Sequence, residues 1–345
     1  MERPYYIENL IQDTIDKERS KFQGTSEEFE KAFNKKIPEL IKTITGGLAE
    51  TIFEYCVGEE NDLKKRELEI ADKIESKYKT GLTLFEGFIE LNSKISSITY
   101  DKFYKIFDTY EDHQKLDTLI SNHVRACQIA NEIKVLVSNG FADGAFARWR
   151  TLHEICVVFL YLYDSSYEII EMYNDYAVIE EYRKAKSYNE CSDFFEWEPI
   201  SEKELNQLSL DKEEVISKYG KDFQKSYGWT MKSLPNGKRN FKELENLVAK
   251  DNLRAVYTWS NESIHAGVSG INTKLSLRDE EQNNFLTGPN DCGFLDPIQY
   301  ATDSLYEMSS VLLGMEDSIL NKVLVELLVF FQNEIVKEFD RIENE

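Results

Sequence analysis

Arg148, Arg150, His153 and Glu154 lie within two helical turns of one another in a run, Phe141 to Tyr163, that is apolar almost all the way round. A helix with no polar face is normally buried, and a charge taken out of water is costly unless it is paired and hydrogen-bonded. These four groups are therefore either neutralised against one another or used. At about 100° per residue, Arg150, His153 and Glu154 share an arc of roughly 100°, whereas Arg148 points elsewhere. Arg150 and Glu154 are four apart and can bridge directly. The pair is either an internal salt bridge that orients the helix or one side of a polar cleft. In such a cleft Arg150 binds an anion, and Glu154 orients that anion or a partner imidazole.

A second group of hydrogen-bonding residues comes a hundred positions later, at Tyr257, Ser260, Asn261 and His265. On a continuous helix Tyr257, Asn261 and His265 line one face with Ser260 beside it, more polar capacity than a core ordinarily takes up. Gly267 ends that helix, which puts His265 in the last turn. From there it either caps its own helix or faces Arg150 and Glu154 across the molecule. Trp229, beside Tyr227 and followed by Lys232 and Lys238, falls in a stretch that reads as an exposed loop and is suited to stacking on a base or ring. Tyr257, Ser260, Asn261, Trp229 and Lys232 are accordingly the expected substrate contacts.

Other chemistries find little support. His123 and Cys127 are spaced i, i+4 and His153 and Cys156 i, i+3, but a metal site needs more ligands than either pair supplies. No HExxH, Walker A, GxGxxG or GxSxG motif occurs, so no metal and no cofactor is expected.

The elements that must position these residues read as helices. Lys65 to Ser97 and Asp112 to Val137 carry apolar residues at a period near 3.6, and Ser138-Asn139-Gly140 is a stop signal. The apolar run follows, and Asp164-Ser165-Ser166 precedes a fourth long helix reaching Tyr188. Short connections between long helices predict antiparallel neighbours. Shorter helices are expected from Ser201, over 241–250 and over 252–265. An irregular stretch near 267–297, with a small hairpin around Leu286 to Gly293, precedes two terminal segments meeting near Gly314. The fold class expected is all-α: a single large antiparallel helical bundle over 61–345 with an N-terminal helical extension over 1–60. That extension is capped at Ser26, interrupted at Gly46-Gly47 and followed by a charged linker over 59–64.

Composition restricts the partners. The 345 residues hold 63 acidic against 41 basic side chains, a net charge of −22. Such a surface repels polyanions, so RNA is expected only at a local patch and extended binding to duplex DNA is not expected. Five cysteines with no CxxC pair suggest reduced thiols. The first residues lack the basic start and apolar core of a secretory signal, and no apolar run spans a bilayer. A cytoplasmic location without membrane contact is expected. Amphipathic N-terminal helices predict a homodimer or a docked partner protein from the same operon.

Two resemblances add to this. The spacing Arg148-x4-His153 is similar to that of HEPN-type ribonucleases, which implies metal-independent RNA cleavage, with a histidine moving the proton and an arginine holding the phosphorane. On a straight helix, however, Arg148 and His153 lie about 140° apart, which favours Arg150 with His265. The segments around Arg150 and Glu154, Trp229, and Tyr257 to His265 together resemble a bacterial all-helical family catalogued as domain of unknown function 5677, over roughly 65–315. That resemblance implies a bacterial cytoplasmic protein of the kind found near mobile elements and phage-defence genes. The combined expectation is a metal-independent endoribonuclease acting in phage defence or growth arrest. Arg150, Glu154, His265, Arg148 and His153 are its catalytic set. The alternative is a non-catalytic sensor or interaction protein in which the same cluster is a structural network or a small-ligand pocket.

Overall fold

A computed structural model describes residues 4–57, 62–272, 274–281 and 285–344. The described residues form α-helices and short 3-10 turns, and no strand occurs among them. The fold is all-α. The chain divides into two compact units, Met1–Leu68 and Glu69–Glu345.

The first unit contains α1 (Pro4–Lys21) and α2 (Ser26–Val57). The cap of α2 is Thr25 rather than Ser26: the Thr25 backbone N–H donates to the Glu28 carboxylate at 2.9 Å, and the Glu28 N–H donates back to the Thr25 hydroxyl at 3.4 Å. This reciprocal pairing satisfies two otherwise orphaned groups. Gly46 and Gly47 do not break α2, which runs through both. Each glycine costs a helix about 1 kcal/mol, which the cooperativity of the turns on either side absorbs. The linker expected over 59–64 lies partly outside the described residues, and α3 is already helical at Asp62.

The second unit begins within α3 (Asp62–Ile106) and continues through α4 (Tyr110–Ser138), α5 (Ala142–Asp164), α6 (Tyr167–Phe195) and α7 (Glu202–Tyr219). The short helices α8 (Phe241–Leu247), α9 (Arg254–Ser260) and α10 (Val268–Asn272) follow, and α11 (Leu295–Gly314) and α12 (Ile319–Glu343) close the chain. Thr109 caps α4 by accepting the Asp112 N–H at 3.1 Å, and Ser201 and Glu204 cap α7 reciprocally. Between α4 and α5 the chain turns at Gly140, whose φ of +84° is left-handed. An added Cβ there would lie 2.6 Å from Pro289, so only glycine makes this turn.

At the centre lies α5, and most of its apolar circumference is covered. Trp149, Leu152, Val157, Phe159 and Leu162 have no exposed surface, each such burial contributing roughly 1.5–3 kcal/mol. The indole N–H of Trp149 donates to the Tyr300 carbonyl at 3.0 Å, tying α5 to α11. Lys115 on α4 donates to the carbonyls of Tyr163 and Ser165 at 2.6 and 2.9 Å, placing a cation where the dipole of α5 ends. Asp143, in the first turn of α5, accepts the backbone N–H groups of Leu275 and Ser276 at 3.0 and 3.2 Å. That contact anchors the irregular stretch, where an open loop replaces the expected hairpin. The loop is pinned through Asp291, which Arg278 and Lys73 approach at 2.8 and 2.5 Å. Burial pushes this carboxyl up, but the two cations outweigh it and hold the group below its ordinary range.

A second polar string crosses the core between α3, α4 and α11. His123 is fully buried, with Nδ1 2.6 Å from the Ser96 hydroxyl and Nε2 2.7 Å from the Ser309 hydroxyl. Ser309 donates its one proton to Asn92 Oδ1 at 2.6 Å. His123 Nε2 must therefore carry the hydrogen, and Nδ1 accepts from Ser96. The neutral ring is satisfied on both sides, and burial pushes its pKa down to about 4.

Candidate functional site

Consecutive residues of α5 enter two different environments. Glu154 accepts the Tyr257 hydroxyl at 2.6 Å and lies 3.3 Å from Arg150 Nη2. Arg150 in turn donates to the same hydroxyl at 2.5 Å and stacks over the Tyr257 ring, 4.6 Å from its centre. The three form a closed triangle in which each polar tip touches the other two. Burial, and then the carboxylate it serves, push the Tyr257 phenol well up, with Arg150 offsetting part of the shift. Tyr257 is therefore a hydroxyl donor, not a base. The Arg150 and Glu154 side chains retain 23% and 39% of their exposure, so the triangle meets solvent.

Glu154 opens onto a cleft of about 590 Å³ between α4, α5, α6 and the turn over 226–229. Its wall on α6 is a helical stripe, Tyr173, Tyr176, Glu180 and Arg183, and Asn122 and Arg125 face it from α4. Trp229 forms part of the wall; it is buried, packed edge-on against Tyr161 and Tyr173 at 5.6 and 5.0 Å. The exposed loop expected here is instead folded under the helices. Gly228 explains how: an added Cβ would lie 1.8 Å from the Phe223 carbonyl oxygen, so the chain passes this point only as glycine. Tyr227, just before it, is left-handed at φ +54°, an uncommon conformation for a bulky residue. Burial, followed by the Glu154 charge, pushes the Tyr227 phenol up as well. The cleft therefore offers hydroxyl donors, aromatic faces and guanidinium groups.

His153 occupies the sealed side. Its ring is 1% exposed and Nε2 donates to Glu245, which has no exposure, at 3.0 Å. The other Glu245 oxygen accepts from Arg254 at 2.6 Å, and Arg254 lies 4.9 Å from the Tyr257 ring. Trp149, Phe241 and Tyr257 surround the imidazole. Such a ring has no access to a substrate.

The remaining expected residues disperse. Arg148 turns to α4 and bridges Glu132 at 2.6 Å, as its position on the helix required. His265 is exposed on a turn, and among the described residues no hydrogen bond or ion pair joins its ring to Arg150 or Glu154. The helix expected to carry it ends at Ser260, followed by a 3-10 turn over Asn261–Ser263. Ser260 bonds back to the Tyr257 carbonyl at 2.7 Å, the local competition that makes serine and asparagine poor helix-interior residues. The face shared by Tyr257, Asn261 and His265 therefore does not form. Ser260 is buried, the Asn261 side-chain oxygen is buried without a hydrogen-bond partner among the described residues, and Lys232 pairs with Glu168 at 2.9 Å on the surface.

Sequence reasoning missed Glu245, Arg125 and Arg183. Glu245 carried a signal: in α8 it follows Phe241 by four and Leu244 by one, on the apolar face, where a carboxylate requires a partner. The two arginines carried none, because a solvent-facing cation on an amphipathic helix looks the same with or without a cleft beside it.

No curated protein and no solved structure matches the chain. Residues 116–284 match the family model described as a family of unknown function (DUF5677), a span running from α4 into the irregular stretch and containing Arg150, Glu154, Glu245 and Tyr257. Over that segment the chain is similar to this family of unknown function.

Proposed function

We propose that this protein is a non-catalytic helical sensor and that the cleft beside α5 is its ligand pocket. One observation carries the proposal: Glu154, the acid that α5 presents to the cleft, is already fixed by both Tyr257 and Arg150. Both contacts fall on Oε1, so the carboxylate is pre-organised in one orientation while Oε2 remains able to accept from a ligand. Proton transfer would call for an accessible imidazole beside Arg150. His153 is enclosed with Glu245, and His265 lies on an exposed turn. The endoribonuclease alternative retains Arg150 as a phosphate clamp but needs another proton carrier.

The sensor would act in the cytoplasm, and its N-terminal unit would engage a second copy or a partner protein. Exposed Ile37, Ile41, Phe53 and Val57 on α2 support such docking. Phage defence or growth arrest, the setting the family resemblance implies, would then be what ligand binding triggers.

The test uses the full-length protein in two assays. A thermal-shift screen of small polar metabolites is expected to yield a stabilising ligand whose effect is lost in Glu154→Gln. Labelled tRNA and mRNA incubated with chelator are expected to remain intact. Chelator-resistant cleavage abolished by Arg150→Ala would overturn the sensor in favour of the ribonuclease.

A further inference from the structure

The cleft's cations differ from the others in their unit. Of the arginines in Glu69–Glu345, Arg148, Arg150, Arg239, Arg254, Arg278 and Arg341 each bridge a carboxylate. Arg125 and Arg183 have no such bridge among the described residues, and both line the same cleft. In a chain of net charge −22 carboxylates are abundant, yet with Glu154 offset by Arg150 the two guanidinium groups of this hollow outnumber its one remaining acid, Glu180, a local excess of positive charge. Arg183 is nevertheless fixed in place. Its Nη1 donates to the Tyr176 hydroxyl at 3.2 Å and its Nη2 to the Gln224 carbonyl. Neutral acceptors orient the group without cancelling its charge, which suits the fork to an incoming anion.

Aromatic rings make up the wall between these cations. Tyr173 and Trp229 pack edge-on, Tyr176 donates its hydroxyl to the Lys225 carbonyl at 2.8 Å, and Tyr227, also in the lining, has a left-handed backbone. Backbone strain of that kind concentrates at ligand clamps. Of the cleft acids, Glu154 is committed to Tyr257 and Arg150, and Glu180 offers an acceptor for an amino group. The volume of about 590 Å³ falls within the roughly 300–1,000 Å³ of small-molecule sites.

We propose that this cleft binds a nucleoside monophosphate, its base against the wall of Tyr173, Tyr227 and Trp229 and its phosphate taken by Arg125 and Arg183. The proposal rests on the ligand-pocket function above and names the ligand's class. A free mononucleotide is favoured over the end of an RNA strand because the acidic surface repels a longer polyanion.

Adenosine 5′-monophosphate titrated calorimetrically into the full-length protein is the test. Saturable binding is expected, about tenfold or more tighter than for adenosine or inorganic phosphate, with a change in Trp229 emission. Arg125→Gln and Arg183→Gln should each weaken it about tenfold. Circular dichroism should report an unchanged fold, since both side chains are exposed. Equal affinity for adenosine, or unchanged binding in both variants, would overturn the proposal. Tighter binding of a short oligoadenylate would overturn the mononucleotide in favour of an RNA end. If AMP is inert while a phosphate-free molecule binds and is lost in Glu154→Gln, the nucleotide proposal fails and the ligand pocket stands. If nothing binds the cleft, both fail.

Discussion

His153 and Glu154 are neighbours on one helix, yet one is sealed and the other meets water. His153 closes on Glu245 with almost no exposure on either side, whereas Glu154 and Arg150 retain a substantial part of theirs. Tyr257 touches both clusters, packing at a tilt against the imidazole and bonding to the carboxylate. Similar residue types are thus divided by solvent access into a fastening and an opening. A buried polar pair can hold helices together, but it cannot meet a ligand. A pair at a cleft can do both, and contributes less to stability because water competes for each of its contacts.

The largest expected effect tests the fastening. Glu245→Ala leaves the sealed His153 imidazole without its acceptor and frees Arg254, which is 37% exposed, to water, which should cost about 3 kcal/mol in chemical denaturation. Glu154→Ala should cost about 1 kcal/mol, because water replaces the missing oxygens. Equal losses would erase the distinction between the two sides.

A pH series sharpens it. His123 is sealed even more completely, and burial holds its pKa near 4 against an ordinary 6.5. The folded chain therefore refuses a proton that the unfolded chain accepts between those values. The stability linked to this ring is fully present above pH 6.5 and is lost as pH falls towards 4, by about 3 kcal/mol. Unfolding free energy measured across that window should slope downward towards acid, and His123→Gln should flatten the slope. An unchanged slope in the variant would assign the acid sensitivity elsewhere.

Gly228→Ala probes the cleft wall without touching a polar group. The new methyl meets the Phe223 carbonyl at 1.8 Å, so the backbone must move, at about 1–3 kcal/mol. Because Trp229 is the next residue, its emission should shift even where the protein stays folded. An unaltered spectrum would mean that the turn absorbs the methyl without displacing the wall.

Much of this architecture was legible in the residues. The long helices declared themselves by period, and the central helix by its lack of a polar face. Arg150 and Glu154 were expected to bridge and do, and Tyr257, expected as a substrate contact, bonds to that pair instead. His265 was not readable in the same way, because its position depended on α9 continuing past Ser260. There the backbone passes into a 3-10 turn over Asn261–Ser263, and no periodicity announces that choice. The cleft was hidden for a different reason. Its wall combines a stripe of α6, one turn of α4 and a glycine-dependent turn, and nothing in the spacing of any one of them reveals the other two.

Tyr257→Phe separates the two regions at the residue they share. The ring remains, so its contacts with Arg150, Arg254 and the His153 imidazole are retained, and the sealed side should be unaffected. What disappears is the hydroxyl that donates to Glu154 and accepts from Arg150. Those two are already 3.3 Å apart and can close on each other, while water reaches the vacated position. The loss of stability should therefore be no more than about 1 kcal/mol. Ligand binding should fall further than that, because Glu154 is no longer held in one orientation at the cleft. A variant that loses several kcal/mol instead would show that the hydroxyl fastens the fold, and that the division between fastening and opening does not run through Tyr257.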